Sequence, residues 1–241
     1  MEHVTVKDLV LGSGGVLVSG SEEAPVSHIR LDSRQVEPGD LFVPLLGERV
    51  DSHRFLPQAM DQGAAAVLTS QELTLPEGGV GCAVIRVEDT KKARQKIGSY
   101  LRDRLTLPLV GVTGSVGKTT TREMVAAALS AGFLVYKTPG NSNSQVGVPI
   151  TVAEIPENAE IGVIELGMSE PGEMTRIANV ARVNCAVVTN IGVAHIEQLG
   201  SKENILKEKL HIQDGMSEDG TLFLNGDDPL LRNVIPENGR K

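Results

Sequence analysis

The sequence predicts an α/β protein: a small α/β unit followed by one built on a mainly parallel sheet. Two observations carry this expectation. From Pro108 onward, short apolar strands alternate with amphipathic stretches at the spacing of helical crossovers, the pattern of a parallel sheet covered by helices. Within that region, residues 108–120 pass from an apolar run through a glycine-rich turn into Lys118, Thr119 and Thr120, which open a helix. The change at Pro108 sets the expected boundary, with one domain over residues 1–106 and another over 107–241.

The first domain reads as follows. Residues 4–11 form a short helix or strand, and Gly12-Ser13-Gly14-Gly15 turns the chain into a strand over Val16–Ser19. That turn resembles the start of a dinucleotide fingerprint, but Leu17 stands where its third glycine belongs. Residues 29–34 and 38–43 give two strands, the first ending in polar groups and the second opened by a Pro-Gly turn. Ser52 is expected to cap a helix over 53–62, ended by Gly63. Ala64–Thr69 and Ala83–Val87 are short strands around a loop at 71–81, and Thr90 is expected to cap a basic helix reaching Leu105.

In the second domain a strand over 109–113 leads into a helix over 118–131, with Met124, Val125, Ala128 and Leu129 on its apolar face. Gly132 ends it. Strands over 133–136, 162–166, 185–189 and 221–224 follow, with helices over 171–180 and, capped by Ser201, to about 213. In such a sheet ligands sit at the carboxyl ends of the strands.

The chemistry concentrates at residues 108–120. Glycines let backbone N–H groups approach phosphate oxygens, and a helix N-terminus adds partial positive charge. Gly114, Ser115, Val116 and Gly117 form the turn. Lys118 is expected to reach the β/γ-phosphates of a nucleotide, and the Thr119 hydroxyl to hold Mg²⁺. The spacing departs from the common phosphate loop: the glycines fall at Gly111, Gly114 and Gly117, whereas the first would fall at Val112. The bland alternative is a tight strand-to-helix turn with a surface lysine. Glu165, Asn190 and His195 follow later strands and are expected on the same sheet edge. A strand-end carboxylate beside phosphates suits a magnesium site. A lone histidine such as His195 is more often structural.

Composition excludes other classes. The 241 residues carry a net charge of −8 without a basic block, which argues against nucleic acid as the main partner. Cys82 and Cys185 lie in unrelated apolar runs, so they read as buried reduced thiols rather than a disulfide framework. No stretch approaches the ~20 apolar residues of a membrane span, and Met1-Glu2-His3-Val4 is no signal-peptide start. A cytoplasmic monomer is expected.

The motifs together resemble the Mur ligases, ATP-dependent amide-forming enzymes of peptidoglycan synthesis. Leu31-Asp32-Ser33-Arg34, Pro38–Arg49 and Asp51–Phe55 resemble that family's UDP-sugar domain, and Thr113–Thr120 its phosphate loop. Gly140–Pro149 is similar to the segment of the branch that adds D-alanyl-D-alanine to UDP-N-acetylmuramoyl-tripeptide. Ile164–Met168 and Asn190–Ser201 complete the resemblance.

It implies that 1–106 binds the UDP-muramoyl peptide and that 107–241 is a partial ATPase domain. It further implies that Ser33, Arg34, Glu48 and Arg49 contact the UDP-sugar and that Asn143 lies near the γ-phosphate, with Thr120 beside the nucleotide. Glu165 and His195 would then ligate a second metal, and Lys209 would correspond to a lysine the family carbamylates. Read without the family, Lys209 is a solvated helix lysine like Lys202 and Lys207.

Two departures stand out. The family's Asn-x-Asn-Asn-Glu is here Asn141-Ser142-Asn143-Ser144-Gln145. The chain also ends soon after residues 224–229, so a C-terminally truncated ligase with little or no turnover is expected. Rival readings are a ligase adding the third peptide residue, a folate- or cyanophycin-type ligase, a non-catalytic nucleotide-binding module, and a small kinase or NTPase.

Overall fold

The computed structural model describes residues 1, 3–47, 50–73 and 81–240. Contacts divide the chain into two compact units, Met1–Leu101 and Arg102–Lys241.

In the first unit the chain runs α1 (Val6–Ser13), β1 (Val16–Ser19), β2 (Ile29–Arg30), β3 (Leu41–Phe42), α2 (Leu56–Asp61), β4 (Ala66–Thr69), β5 (Ala83–Arg86) and α3 (Thr90–Asp103). The five strands form one sheet in the order β1-β5-β4-β3-β2, parallel except for β1 against β5. Leu56 and Ala59 of α2 pack with Phe42, Val67 and Val84. Gly12 of α1 lies against the Tyr100 ring of α3, where even a methyl group would press on the ring.

Two expected caps are replaced by the residue before them. Asp51, not Ser52, accepts from the His53 N–H at 3.0 Å and opens a 3₁₀ turn (Ser52–Phe55) ahead of α2. Asp89 accepts from the Lys92 N–H, while Thr90 donates its hydroxyl to the Pro44 carbonyl at 2.7 Å. A carboxylate accepts more strongly than a hydroxyl, which frees the hydroxyl for a tertiary contact. Of the loop expected at 71–81, residues 74–80 lie outside the described residues.

The second unit runs β6 (Leu109–Thr113), α4 (Lys118–Leu129), β7 (Val135–Lys137), α5 (Gly147–Ala153), β8 (Ile161–Glu165), α6 (Glu173–Ala181), β9 (Cys185–Val188), α7 (Ile196–Leu199), α8 (Lys202–Leu210) and β10 (Thr221–Leu224). Its sheet, β10-β9-β6-β8-β7, is parallel throughout. All strand ends carrying candidate polar groups therefore share one edge.

The core divides by face. Leu109, Ile164, Ala186 and Leu222 pack with Val148 of α5, Ile177 of α6 and Ile205 of α8. Val110, Val112 and Val163 pack with Val125, Ala126 and Leu129 of α4. The buried face of α4 is thus Arg122, Val125, Ala126 and Leu129: Val125 and Leu129 of the expected face pack on the sheet, whereas Met124 and Ala128 do not. Met124 is 69% exposed and Ala128 is also exposed. Two positions further along a helix face the opposite side, so only the i, i+3, i+4, i+7 set meets the sheet.

The sequence reading missed α5 and α7. The first is only seven residues long and follows a polar loop. Ser201 caps α8 as expected, accepting from the Asn204 N–H at 3.2 Å. Cys82 is buried, and burial pushes its thiol up to about 12. Cys185 is only half-buried. Among the described residues no helix is long and apolar enough to cross a membrane.

Candidate active site

The loop between β6 and α4 is built by steric exclusion. Gly114 sits at φ +146°, and a Cβ there would lie 1.9 Å from the Thr189 hydroxyl oxygen. Gly117, at φ +82°, occupies the cap position of α4. Only glycine takes both places without strain. Asn190 closes the turn from the neighbouring strand end. Its carbonyl accepts from Ser115 N–H at 3.0 Å and its side-chain oxygen from Val116 N–H at 2.9 Å. Thr189 donates to the Val116 carbonyl at 2.6 Å. Gly111, by contrast, lies inside β6, pressed against Val183 and Ile212. It is a packing residue, which accounts for the unusual glycine spacing.

Among the described residues, the N–H groups of Gly117, Lys118, Thr119 and Thr120 donate to no protein acceptor. These are the orphan donors of a helix start, and the dipole of the twelve-residue α4 points its positive end at them. Lys118 folds back so that Nζ donates to the Gly114 carbonyl at 2.9 Å. The arrangement is a preformed cradle for phosphate oxygens, with a lysine beside it. Since Ser115 and Val116 N–H are spent on Asn190, the free donors begin at Gly117.

Glu165 ends β8 one strand away, buried to 1% exposure. Oε2 accepts from the Thr119 hydroxyl at 3.0 Å, and Oε1 from the Asn143 amide at 2.7 Å. Arg122, one turn along α4 from Lys118, adds a contact to Oε2 at 3.3 Å. The Glu165 N–H donates to the Thr138 hydroxyl at 2.8 Å. The structure thus brings Thr119, Asn143 and Glu165 together. Arg122, Thr138 and Thr189 escaped the sequence reading. The spacing of Arg122, four residues after Lys118, could have signalled it.

His195 and Lys209 complete the edge. His195 takes a left-handed backbone, φ +64°, and its side chain is exposed. Partial burial, then the charges of Lys209 and Lys118, lower its affinity for a proton. Lys209 is buried to 1% exposure, whereas Lys202 and Lys207 on the same helix are exposed. It is therefore no solvated helix lysine. Burial, reinforced by Lys118 and opposed by Glu208, brings its ammonium down to about 7. Glu208 itself accepts from the Gly172 and Met174 N–H groups and holds the start of α6. Lys118 thus shares this edge with His195 and Lys209, and its charge helps to lower the proton affinity of both.

For a divalent cation the donor set is partial. Thr119 and Glu165 present hard oxygens 3.0 Å apart, which suits magnesium completed by phosphate oxygens and water. Among the described residues no three His, Cys, Asp or Glu side chains converge on one ion position. A further cation next to His195 would need Lys209 to become an oxygen ligand.

The first unit's strand ends look different. The Ser33 hydroxyl donates to Gln58 at 3.0 Å, and the exposed Arg34 pairs with Asp32 at 2.6 Å. Asp51, His53, Ser70 and Gln71 form a closed hydrogen-bonded chain. Glu48 and Arg49 lie outside the described residues.

Residues 112–241 match the Mur ligase middle domain, and residues 25–102 match the Mur ligase family catalytic domain. The chain belongs to the Mur ligase family. It is 44% identical over 231 residues to the UDP-N-acetylmuramoyl-tripeptide–D-alanyl-D-alanine ligase of Bacillus subtilis, covering 95% of this chain and 50% of that one. The Escherichia coli protein of the same name is 36% identical, over 83% of this chain and 43% of its own length. Among solved structures, MurF from Acinetobacter baumannii superposes with a TM-score of 0.86 at 29% identity, over 94% of this chain and 49% of that one. MurF from Thermotoga maritima in complex with ADP gives 0.79 at 32% identity, over 90% and 49%. The chain spans about half the length of these relatives.

Proposed function

We propose that this Mur ligase chain serves the ATP-dependent addition of D-alanyl-D-alanine to UDP-N-acetylmuramoyl-tripeptide in the cytoplasm. The first unit would bind the UDP-sugar, and the phosphate edge of the second would act on ATP. The observation that carries the reading is the free N–H cradle of Gly117–Thr120 set beside the Thr119–Glu165–Asn143 cluster. The 44% identity to the Bacillus ligase supports its assignment to this reaction.

In the reaction, the terminal carboxylate of the tripeptide takes the γ-phosphoryl group of ATP, releasing ADP and forming an acyl phosphate. The amine of D-alanyl-D-alanine then attacks the acyl carbon, and phosphate leaves with the amide bond formed. The chain's own groups have distinct parts. The α4 N–H groups and Lys118, released from the Gly114 carbonyl, would neutralise charge growing on the transferred phosphoryl oxygens. Thr119 and Glu165 would hold Mg²⁺, which supplies charge neutralisation when bound. His195 and Lys209 would flank the same edge.

Lys209 fits carbamylation chemically. Only a neutral amine adds CO₂, and an ammonium brought down to about 7 is largely neutral above that pH, whereas an ordinary lysine is so only above about 10.4. With ¹³CO₂, a carbamate carbon signal should rise through pH 7–8 and vanish in Lys209→Ala. A signal rising only near pH 10 would remove Lys209 from the metal site.

Calorimetric titration tests the main reading. UDP-N-acetylmuramoyl-tripeptide should bind, and Lys118→Met should leave that heat unchanged. Binding of Mg-ATP with no binding of the UDP-sugar would instead favour a simple nucleotide hydrolase or kinase.

A further inference from the structure

Arg122 is the side chain of this edge that the proposed reaction leaves without a part, although it is 4% exposed and fully engaged. Its Nε and Nη2 both donate to Glu123 Oε1, at 3.1 and 2.6 Å, and Glu123 is in turn paired with Lys137. Its Nη1 donates in two directions: to the Gly140 carbonyl at 2.8 Å and to Glu165 Oε2 at 3.3 Å. The contacts to Glu123 and Gly140 are the short ones, so they fix the guanidinium in place. The contact to Glu165 is the longest and the least costly to give up.

This geometry has an electrostatic consequence. Oε2 is also the oxygen that Thr119 meets, and so the oxygen nearest the phosphate cradle. A permanent positive charge anchored 3.3 Å from a cation-binding oxygen opposes a divalent ion there. Glu123 offsets part of that opposition, and phosphate oxygens in the cradle would offset the rest. The anchor also ties the carboxylate to the segment from Gly140 to Asn143, whose amide holds the other oxygen, Oε1.

We propose that Arg122 is a positioning residue that makes cation binding at Glu165 conditional on nucleotide phosphate: it keeps the carboxylate oriented while weakening its hold on a bare divalent ion. The inference rests on the reading of Glu165 as a metal ligand.

The test is Mn²⁺ binding to the whole chain without nucleotide, followed by electron paramagnetic resonance of the free ion. Arg122→Met should bind Mn²⁺ about tenfold more tightly than the unaltered chain. Arg122→Lys, which keeps the charge, should behave as the unaltered chain does. Should Arg122→Met fail to fold, Arg122→Gln carries the same expectation, because it removes the charge and keeps hydrogen-bonding capacity. Unchanged or weaker Mn²⁺ affinity in a folded, uncharged variant would overturn the proposal, since that is what a purely structural arginine gives. Adding Glu165→Gln to Arg122→Met should abolish the gain. If the tight binding survives that second change, Glu165 is not the ligand, and the metal reading itself falls.

Discussion

The two units expose the same kind of sheet edge and use it in opposite ways. In the first, the polar groups after the strands satisfy one another. His53 is buried to 5% exposure, bonded to Asp51 at 2.6 Å and to Ser70 at 3.1 Å, and Gln71 closes the chain back on Asp51. In the second, donors are left over. The N–H groups of Gly117–Thr120 meet no protein acceptor among the described residues, and the hydroxyls of Thr113 and Ser115 are buried without a partner. The buried hydroxyls cost stability unless a ligand completes them, whereas the N–H groups of this exposed turn are open to water or a ligand. Position at a strand end therefore nominates a residue for function, and the state of its hydrogen bonds separates a strut from a site.

The contrast can be broken most severely at Gly114. Gly114→Val would drive its Cβ into the Thr189 hydroxyl and impose a left-handed φ on a β-branched residue. Chemical denaturation should show a loss of about 3 kcal/mol or more, together with loss of phosphate binding. Lys118→Met should leave stability within about 0.5 kcal/mol, because among the described residues its only hydrogen-bond partner is a loop carbonyl. The same change should weaken ATP binding about a hundredfold, the worth of a strong charge-assisted contact. Equal losses of stability and binding would mean that the lysine is a strut after all.

His53→Leu sharpens the other side. It should cost about 2 kcal/mol of stability by stranding Ser70 and removing one of the partners of Asp51, with ATP binding unaltered. The smallest expected effect concerns one exception within the first unit, where Ser19, Asp40 and Gln62 also bury an unpartnered oxygen. Arg94 is fully buried on α3, and among the described residues its guanidinium nitrogens have no hydrogen-bond partner; burial, opposed by the charge of Asp89, brings its pKa down to about 10. Arg94→Met keeps the length and removes a buried charge that only Asp89 partly offsets among the described residues, and should raise stability by about 1 kcal/mol. A loss instead would show that the guanidinium is compensated in solution.

Much of this was legible in the sequence. The strand at 109–113, the cap at Ser201 and the placing of Thr119 and Glu165 on one sheet edge follow from local motifs and strand ends, whereas Asn143 was reached only through the family resemblance. Apolar runs bounded by turn residues located most strands to within two residues. What failed had to do with facing and choice of partner. The expected face of α4 was rotated, right at Val125 and Leu129 and wrong at Met124 and Ala128, because several small apolar residues there fit more than one stripe. The caps moved from Ser52 and Thr90 to Asp51 and Asp89 because neighbouring side chains compete for the same backbone donors.

The sequence by itself determined that the second unit carries a phosphate loop on a parallel sheet. Gly114, Gly117, Lys118 and Thr119 act within a few residues of one another, and local chain geometry suffices to combine them. Only the tertiary structure decided the rest. It buried Lys209 while leaving Lys202 and Lys207 in water, set Gly111 to packing, and seated Arg122 between Glu165 and Gly140. Each of these depends on which distant element lies opposite, and a residue's charge state and hydrogen bonds follow from that environment rather than from its neighbours in the chain.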